Sequence, residues 1–355
     1  MYYFCTLFDS NYLDKGIVTI QSLFKVSNHI TVYVLAMDNK CYDILIDLNI
    51  TNLEIIKLSD FESEELIKAK ANRSHAEYCW TCTASLIWYI FKKYNVSNCT
   101  YIDADMYFYV DPTKYLEELI SQDKTVLIVE HGFKKDWRKK YLEKNSGKFC
   151  VQFNTFMNTP EALSVLNEWR LNTLEKCSST EKGTLGDQMY LDEWPNKYSC
   201  VRVVEAKCLG VAPWNINRFK LVNYTDKVIH VKENGDNSTF PIVFYHFHYI
   251  KFLDYNRVNI NVFCRFWKVD NKLVEVLYFD YLNNIMKVKK FLREKYNLDV
   301  ILREHPAIQK KKWNLKSYVI NLFGRNLALN FYYLESKIRN KVNSKKDILT
   351  YKNLI

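Results

Sequence analysis

The sequence predicts an α/β fold, a sheet flanked by helices on its faces. Three observations point there. Short β-branched and aromatic runs alternate with stretches of helical spacing through residues 2–131. Acidic residues recur where those runs end, at Asp9, Asp38, Asp103, Asp105 and Glu130, and sheets of this kind bind ligands at the carboxyl ends of their strands. The 355 residues are 48% hydrophobic with only 8 Gly and 6 Pro, which favours regular elements over long loops.

The elements follow in order. "YYFCTLF" reads as a first strand and "DSNYLDKG" as a turn. In "GIVTIQSLFKV" the residues Ile17, Ile20, Leu23 and Phe24 fall on one helical stripe. "ITVYVLAMD" is a continuous apolar run suited to a strand buried on both faces. A short helix, "CYDILIDL", leads to a third strand, "LEIIKL". Residues 78–94 read as a buried helix, "TYIDAD" as the fourth strand, "PTKYLEELI" as a helix and "TVLIVEH" as the fifth strand. Beyond it, "FCVQFNTFMN" is a strand, and a long helix starts with Thr159 as N-cap and Pro160 at its first position. "CVRVVEA" and "PIVFYHFH" are further strands, separated by the loop "GVAPWNIN". From about residue 270 the pattern turns helical and basic, which divides the chain into a domain over 1–265 and an extension over 266–355.

Charge supports that division. Residues 287–355 hold 17 Lys+Arg against 5 Asp+Glu, a net of +12, which leaves residues 1–286 at −2. The part that carries the aspartates is therefore not basic, and no nucleic-acid recognition motif accompanies the basic tail, so nucleic acid is not an expected partner. The N-terminal stretch has no basic region followed by a long apolar one, and no run reaches the length of a membrane span, which predicts a cytoplasmic chain. The ten cysteines lack regular spacing, and the lone pair Cys79 and Cys82 has no second pair to complete a zinc site, so reduced thiols are expected.

Three constellations carry chemistry. Asp103 and Asp105 sit one residue apart in "TYIDADMYFYVDP", apolar on both sides. Buried carboxylates need a positive partner, and two hard oxygen ligands suit Mn²⁺ or Mg²⁺. Two such aspartates are common at strand ends, where they also cap helices or meet solvent. In "FYHFH", His246 and His248 share one face of a strand. An imidazole beside two carboxylates shifts the preference toward Mn²⁺, with His230 in "KVIHV" as a rival ligand. In "GDQMYLDEWP", Asp187 and Gln188 read either as a helix start worth about 1 kcal/mol or as groups that bond sugar hydroxyls. Asn154 in "FNTFMN" can donate and accept at once.

The order "FCTLFDSNYLDKGIVTIQSL", "YIDADMYFYVDP", "FNTFMNTPEA", "GDQMYLDEW", "VAPWNIN", "VFYHFH" resembles the GT-A glycosyltransferases, especially the glycogenin-like family eight and its bacterial relatives, over residues 2–250. The resemblance implies a single Rossmann-like mixed sheet and transfer of a sugar from a nucleoside-diphosphate donor, with UDP the expected nucleotide, to a glycan or lipid-linked acceptor, with retention of configuration. It places the divalent metal on Asp103, Asp105 and His246, with Asp103 also near the ribose. Thr6, Asp9 and Tyr12 match its nucleotide contacts, and Asn154, Asp187 and Gln188 its sugar-side residues. One departure stands out. The helix before the aspartates, "TCTASLIWYIF", lacks the family's basic residue for the donor phosphate, which leaves that duty to the metal, to Lys251 or to another group.

Two rival functions use the same residues. A phosphohydrolase of the haloacid-dehalogenase type also places Asp-x-Asp after a strand, but on its first strand, whereas here the pair comes late. A non-catalytic binding module could keep the fold, and a turnover assay separates it from an enzyme. In the tail, Leu327, Phe331, Leu334, Ile338 and Val342 form one helical stripe with Lys337, Arg339 and Lys341 off it. Such a helix either packs on protein or lies on an anionic membrane, giving peripheral contact with its inner face.

Overall fold

The structure, a computed structural model, describes residues 1–180, 186–207, 209–253, 257–262, 269–300 and 348–350. In chain order the first half runs β1 (Tyr2–Phe8), α1 (Leu13–Val26), β2 (Ile30–Ala36), α2 (Asn39–Leu48), β3 (Leu53–Lys57), α3 (Leu58–Phe61), α4 (Glu64–Lys70), α5 (His75–Tyr94), β4 (Asn98–Ile102), β5 (Met106–Phe108), α6 (Lys114–Ser121) and β6 (Val126–Glu130). The second half runs α7 (Lys139–Ser146), β7 (Phe149–Met157), α8 (Pro160–Glu175), α9 (Trp194–Lys197), β8 (Val201–Val204), β9 (Phe219–Thr225), β10 (Val228–Glu233), β11 (Thr239–Pro241), β12 (Phe244–His246), β13 (Lys251–Phe252), β14 (Arg257–Asn259), α10 (Asn271–Tyr296) and β15 (Ile348–Thr350).

Seven strands form the central sheet in the order β3-β2-β1-β4-β7-β6-β8. It is mixed, as the fold class requires: β7 runs antiparallel to both its neighbours, and the other pairings are parallel. Side chains alternate across it. Phe4, Ile102 and Phe153 face a cluster with α1 and α10, while Cys5, Tyr101 and Phe156 face α5 and α8. The N-cap Thr159 and Pro160 at the start of α8 stand where the sequence predicts them.

Five features differ from the expected elements, and two of them have a local cause in Gly16 and in the Ser74 cap. Helix α1 begins at Leu13, inside the predicted turn. Gly16 is helical, and a Cβ there would stand 2.4 Å from the Phe8 ring, so the glycine serves close packing of α1 on β1 rather than a turn. Helix α5 begins at His75 because Ser74 and Glu77 form a capping box. The fourth strand stops at Ile102, leaving Asp103-Ala104-Asp105 in a turn. The run "PIVFYHFH" is broken, with β11 ending at Pro241 and β12 spanning Phe244–His246. Residues 219–240, to which the sequence pattern assigns no elements, form with Pro241 the three-stranded sheet β11-β10-β9.

The first helix of the basic extension, α10, buries Leu273, Leu277, Tyr278, Tyr281 and Ile285 in the same cluster as α1 and β12. Its Lys289 pairs at 2.8 Å with Asp14 of α1, whose side chain is 1% exposed. The strand β15 pairs with β14. The predicted stripe over residues 313–342 lies outside the described residues. Among the described residues no helix is long and apolar enough to cross a membrane.

Candidate active site

The Asp103–Asp105 turn is fixed from three sides. Thr19, buried in α1, places its Oγ1 2.8 Å from the carbonyls of both Ala104 and Met106 and accepts the Met106 N–H at 3.1 Å. Asp103 N–H donates to the Gln152 carbonyl of β7. On the far side β5 pairs antiparallel with β12, setting His246 opposite Met106, and Phe247 N–H donates to the Asp105 carbonyl at 2.8 Å. Two segments about 140 residues apart in sequence are thereby brought side by side.

The consequence is a convergent ligand set. His246 Nε2 lies 2.9 Å from Asp105 Oδ1 and 3.7 Å from Asp103 Oδ2. Asp105, His246 and His248 each offer one ligand atom, all within 4.8 Å of one another. His248, which shares a face with His246 but which the resemblance leaves out of the ligand set, belongs to this triad, while Asp103 stands beside it. His230 lies on β10 of the small sheet, paired with Asn223 and Pro241.

Behind the ligands stands a support the sequence reading missed. Gln152 Oε1 accepts from His246 Nδ1 at 2.8 Å, which orients Nε2 toward the carboxylates. Gly210 has φ +102°, and a Cβ there would fall 2.6 Å from Gln152 Nε2, so this backbone can approach the amide only as glycine. Trp214 of the "GVAPWNIN" loop meets both imidazoles edge-on, with ring centroids 5.3 and 5.5 Å away. The signal for Gln152 was present in "VQFNTF", where Gln152 and Asn154 repeat at spacing two within an apolar strand.

Electrostatics follow from the crowding. Burial alone would raise Asp105, but the His246 charge overrides it and holds the carboxyl well below the usual range. Burial would lower His246, and Asp105 pushes it well above the ordinary imidazole value instead. Asp103 is pushed up to about 6 by burial and by Asp105, with His246 opposing; its side chain keeps 29% exposure, so solvent softens the effect. Asp187, buried at the turn after Gly186, is pushed up to about 7 by burial and then by Asp103. Asp103 thus meets like charge from Asp105 and acts in turn on Asp187.

The remaining predicted residues are placed as follows. Thr6 is fully buried at the end of β1 with no partner for Oγ1. Asp9 caps the 3-10 turn at Ser10–Tyr12 and accepts from His75 Nε2 at 3.0 Å. Tyr12 lies with its ring 4.0 Å from the Lys15 ammonium. Asn154 is fully buried, and neither amide atom has a partner. Gln188 donates through Nε2 to the Ser146 carbonyl at 2.9 Å. Asp38 accepts from the Ser10 and Cys41 N–H groups, a capping role. Lys251, with Tyr249, Asn259 and Asn261, lines a depression of about 240 Å³. A further cation, Lys15, escaped the sequence reading because "DKG" looks like a turn. It is 1% exposed, burial lowers its pKa, and Asp105 is the first charge to oppose that.

No family model matches the chain. It is 27% identical over 291 residues to the uncharacterized protein YfnD of Bacillus subtilis (strain 168), a match that spans 81% of this chain and 89% of that protein. It is 26% identical over 301 residues to YfnF of the same strain, also uncharacterized, spanning 83% and 96%. Among solved structures it is similar to the galactosyltransferase LgtC, with 15% identity, TM-score 0.43, 69% of this chain and 86% of that one. It is similar to mouse xyloside xylosyltransferase 1, with 10% identity, TM-score 0.40, 59% and 87%. It is also similar to the bifunctional glycosyltransferase WbbM, with 15% identity, TM-score 0.47, 84% and 51%. Likenesses this loose leave the functional reading to the site itself.

Proposed function

We propose that the chain is a metal-dependent glycosyltransferase of the GT-A type, moving a sugar from a UDP-linked donor to a glycan or lipid-linked acceptor with retention of configuration. The convergence of Asp105, His246 and His248, with Asp103 alongside, supports this reading most. Carboxylate and imidazole together suit Mn²⁺ over Mg²⁺. Bound there, the cation would supply Lewis-acid neutralisation of the charge that develops on the departing diphosphate.

The chain's own groups take the other duties. Lys15, whose charge acts on Asp105, and Lys251 are candidates to meet the diphosphate in place of the basic residue missing before the aspartates. Thr6, Asp9 and Tyr12 hold the base and ribose at the carboxyl end of β1. Asp187 and Asn154, buried polar groups beside Asp103 and Tyr101, orient the sugar together with Gln188.

The reading is tested by thermal unfolding of the full chain against a panel of nucleotide-sugars, with Mn²⁺ and with EDTA. UDP-sugars should raise the midpoint with Mn²⁺ and lose that effect in EDTA. A panel in which nucleotide-sugars never shift the midpoint would remove the proposal.

A further inference from the structure

The connection between β6 and β7, residues 131–148, reads "HGFKKDWRKKYLEKNSGK". It holds 7 Lys+Arg and 2 Asp+Glu, a net of +5, in a stretch of chain (residues 1–286) whose total is −2. The rest of residues 1–286 holds 26 Lys+Arg against 33 Asp+Glu, so this connection is a basic stretch in an otherwise acidic part of the chain.

Both of its ends are tied to the candidate site. At the start, the His131 carbonyl accepts from Trp214 Nε1 and from Asn215 Nδ2, each at 2.9 Å, and Trp214 is the residue whose ring meets His246 and His248. At the other end, the Ser146 carbonyl accepts from Gln188 Nε2, and the Lys148 N–H donates to Asp192 at 2.7 Å. The connection thus runs from the histidine ligands to the sugar-side residues.

Its charges are available. Arg138 is taken by Asp136 and Lys139 by Glu143. Lys134, Lys135, Lys140, Lys144 and Lys148 are exposed and form no ion pair among the described residues. Trp137 stands among them, 54% exposed, with the Arg138 guanidinium 5.9 Å from its ring centre. A flat aromatic face can stack on the apolar face of a sugar ring, and ammonium groups around it attract and steer anions.

We infer that the 131–148 connection is an acceptor-docking surface for an acidic glycan, a saccharide chain bearing carboxylate or phosphate groups. The inference rests on the proposed transferase function, which it deepens by naming the acceptor class. A neutral glycan has no use for five unpaired lysines at this place.

The test uses the full-length protein and measures fluorescence anisotropy of labelled polygalacturonate and of labelled dextran of equal length. Polygalacturonate should bind, dextran should not, and binding should weaken with salt as screening shortens. Lys134→Glu/Lys140→Glu/Lys144→Glu should weaken polygalacturonate binding by on the order of tenfold or more. A matched control on exposed positions of α10, Lys272→Glu/Lys287→Glu/Lys290→Glu, should change it little. Equal losses in both triple variants would overturn the inference in favour of bulk charge, and equal binding of dextran would overturn it outright. Vesicles of phosphatidylglycerol form a separate arm: if the first variant loses vesicles but keeps polygalacturonate, the surface meets a membrane and the inference fails. Calorimetry of UDP with Mn²⁺ on the same samples keeps the two readings apart. Its absence in the wild type would count against the transferase function, whereas the lysine result speaks to the surface alone.

Discussion

Replacing Gln152 by leucine removes the acceptor that holds His246 Nδ1 at 2.8 Å while keeping a side chain of similar size in a fully buried position. Two terms oppose each other in the metal-free protein. The imidazole N–H is left without a partner, which costs about 1–3 kcal/mol. Gln152 Nε2 is itself a buried donor with no partner, and removing it returns a penalty of the same order. Metal-free stability should therefore change by no more than about 1 kcal/mol. Metal affinity has no such compensation, because the Nε2 lone pair loses its orientation. Loss of a supporting hydrogen bond behind a ligating histidine weakens affinity about 10–100-fold, roughly 1.4–2.7 kcal/mol. Urea unfolding in EDTA gives the first quantity, and titration calorimetry of Mn²⁺ in the presence of UDP gives the second. Unchanged Mn²⁺ affinity would refute the support role, and a loss of several kcal/mol in EDTA would make Gln152 a packing residue instead. Gly210→Ala probes the same contact from behind. Its positive φ and the 2.6 Å approach to Gln152 should cost about 1–3 kcal/mol of stability as well as metal affinity.

Asp187→Asn should separate stability from turnover. The folded carboxyl sits at about 7, against an ordinary 3.8, so the native state binds its proton more tightly than the unfolded chain does. The wild type thus loses stability as pH rises from about 4 to about 7, and the neutral amide avoids that loss. The variant should unfold at a higher temperature than wild type at about pH 8 and should lower kcat far more than it raises donor KM. A variant less stable than wild type there, or one that raises KM alone, contradicts the assignment. His246→Ala should weaken Mn²⁺-dependent UDP binding more than His248→Ala, because Gln152 braces His246, and both more than His230→Ala, which lies on the small sheet. Calorimetric titration of the three variants checks the order, and an unaffected His246→Ala protein would reject it.

What the sequence made legible were features of short range. The alternation of strand and helix, the caps at Thr159 and the aspartates at strand ends depend on neighbours within a few residues, and periodicity reports those. Sheet order, the reversal of β7 and the pairing of β5 with β12 depend on partners far along the chain, which no local pattern encodes. The same distinction explains the site. Asp103 and Asp105 stand out because they interrupt an apolar run, and the histidines because they share a face. Gln152 and Lys15 are meaningful only once His246 and Asp105 arrive beside them. Gly16 misled for the complementary reason: a glycine beside a lysine looks like a turn, and only the Phe8 ring packed against it shows why the helix needs it.

The most direct measurement is release of UDP from the UDP-sugar that stabilises the full chain best, followed with an acidic acceptor, in Mn²⁺ and in EDTA, for wild type and for Asp103→Asn and Asp105→Asn. Turnover should require the metal, return on adding Mn²⁺ back after chelation, and fall to near background in both variants while their unfolding remains cooperative. Undiminished turnover in EDTA, or in Asp105→Asn with its neighbouring histidines intact, would contradict the assignment of Asp105, His246 and His248 to a catalytic cation.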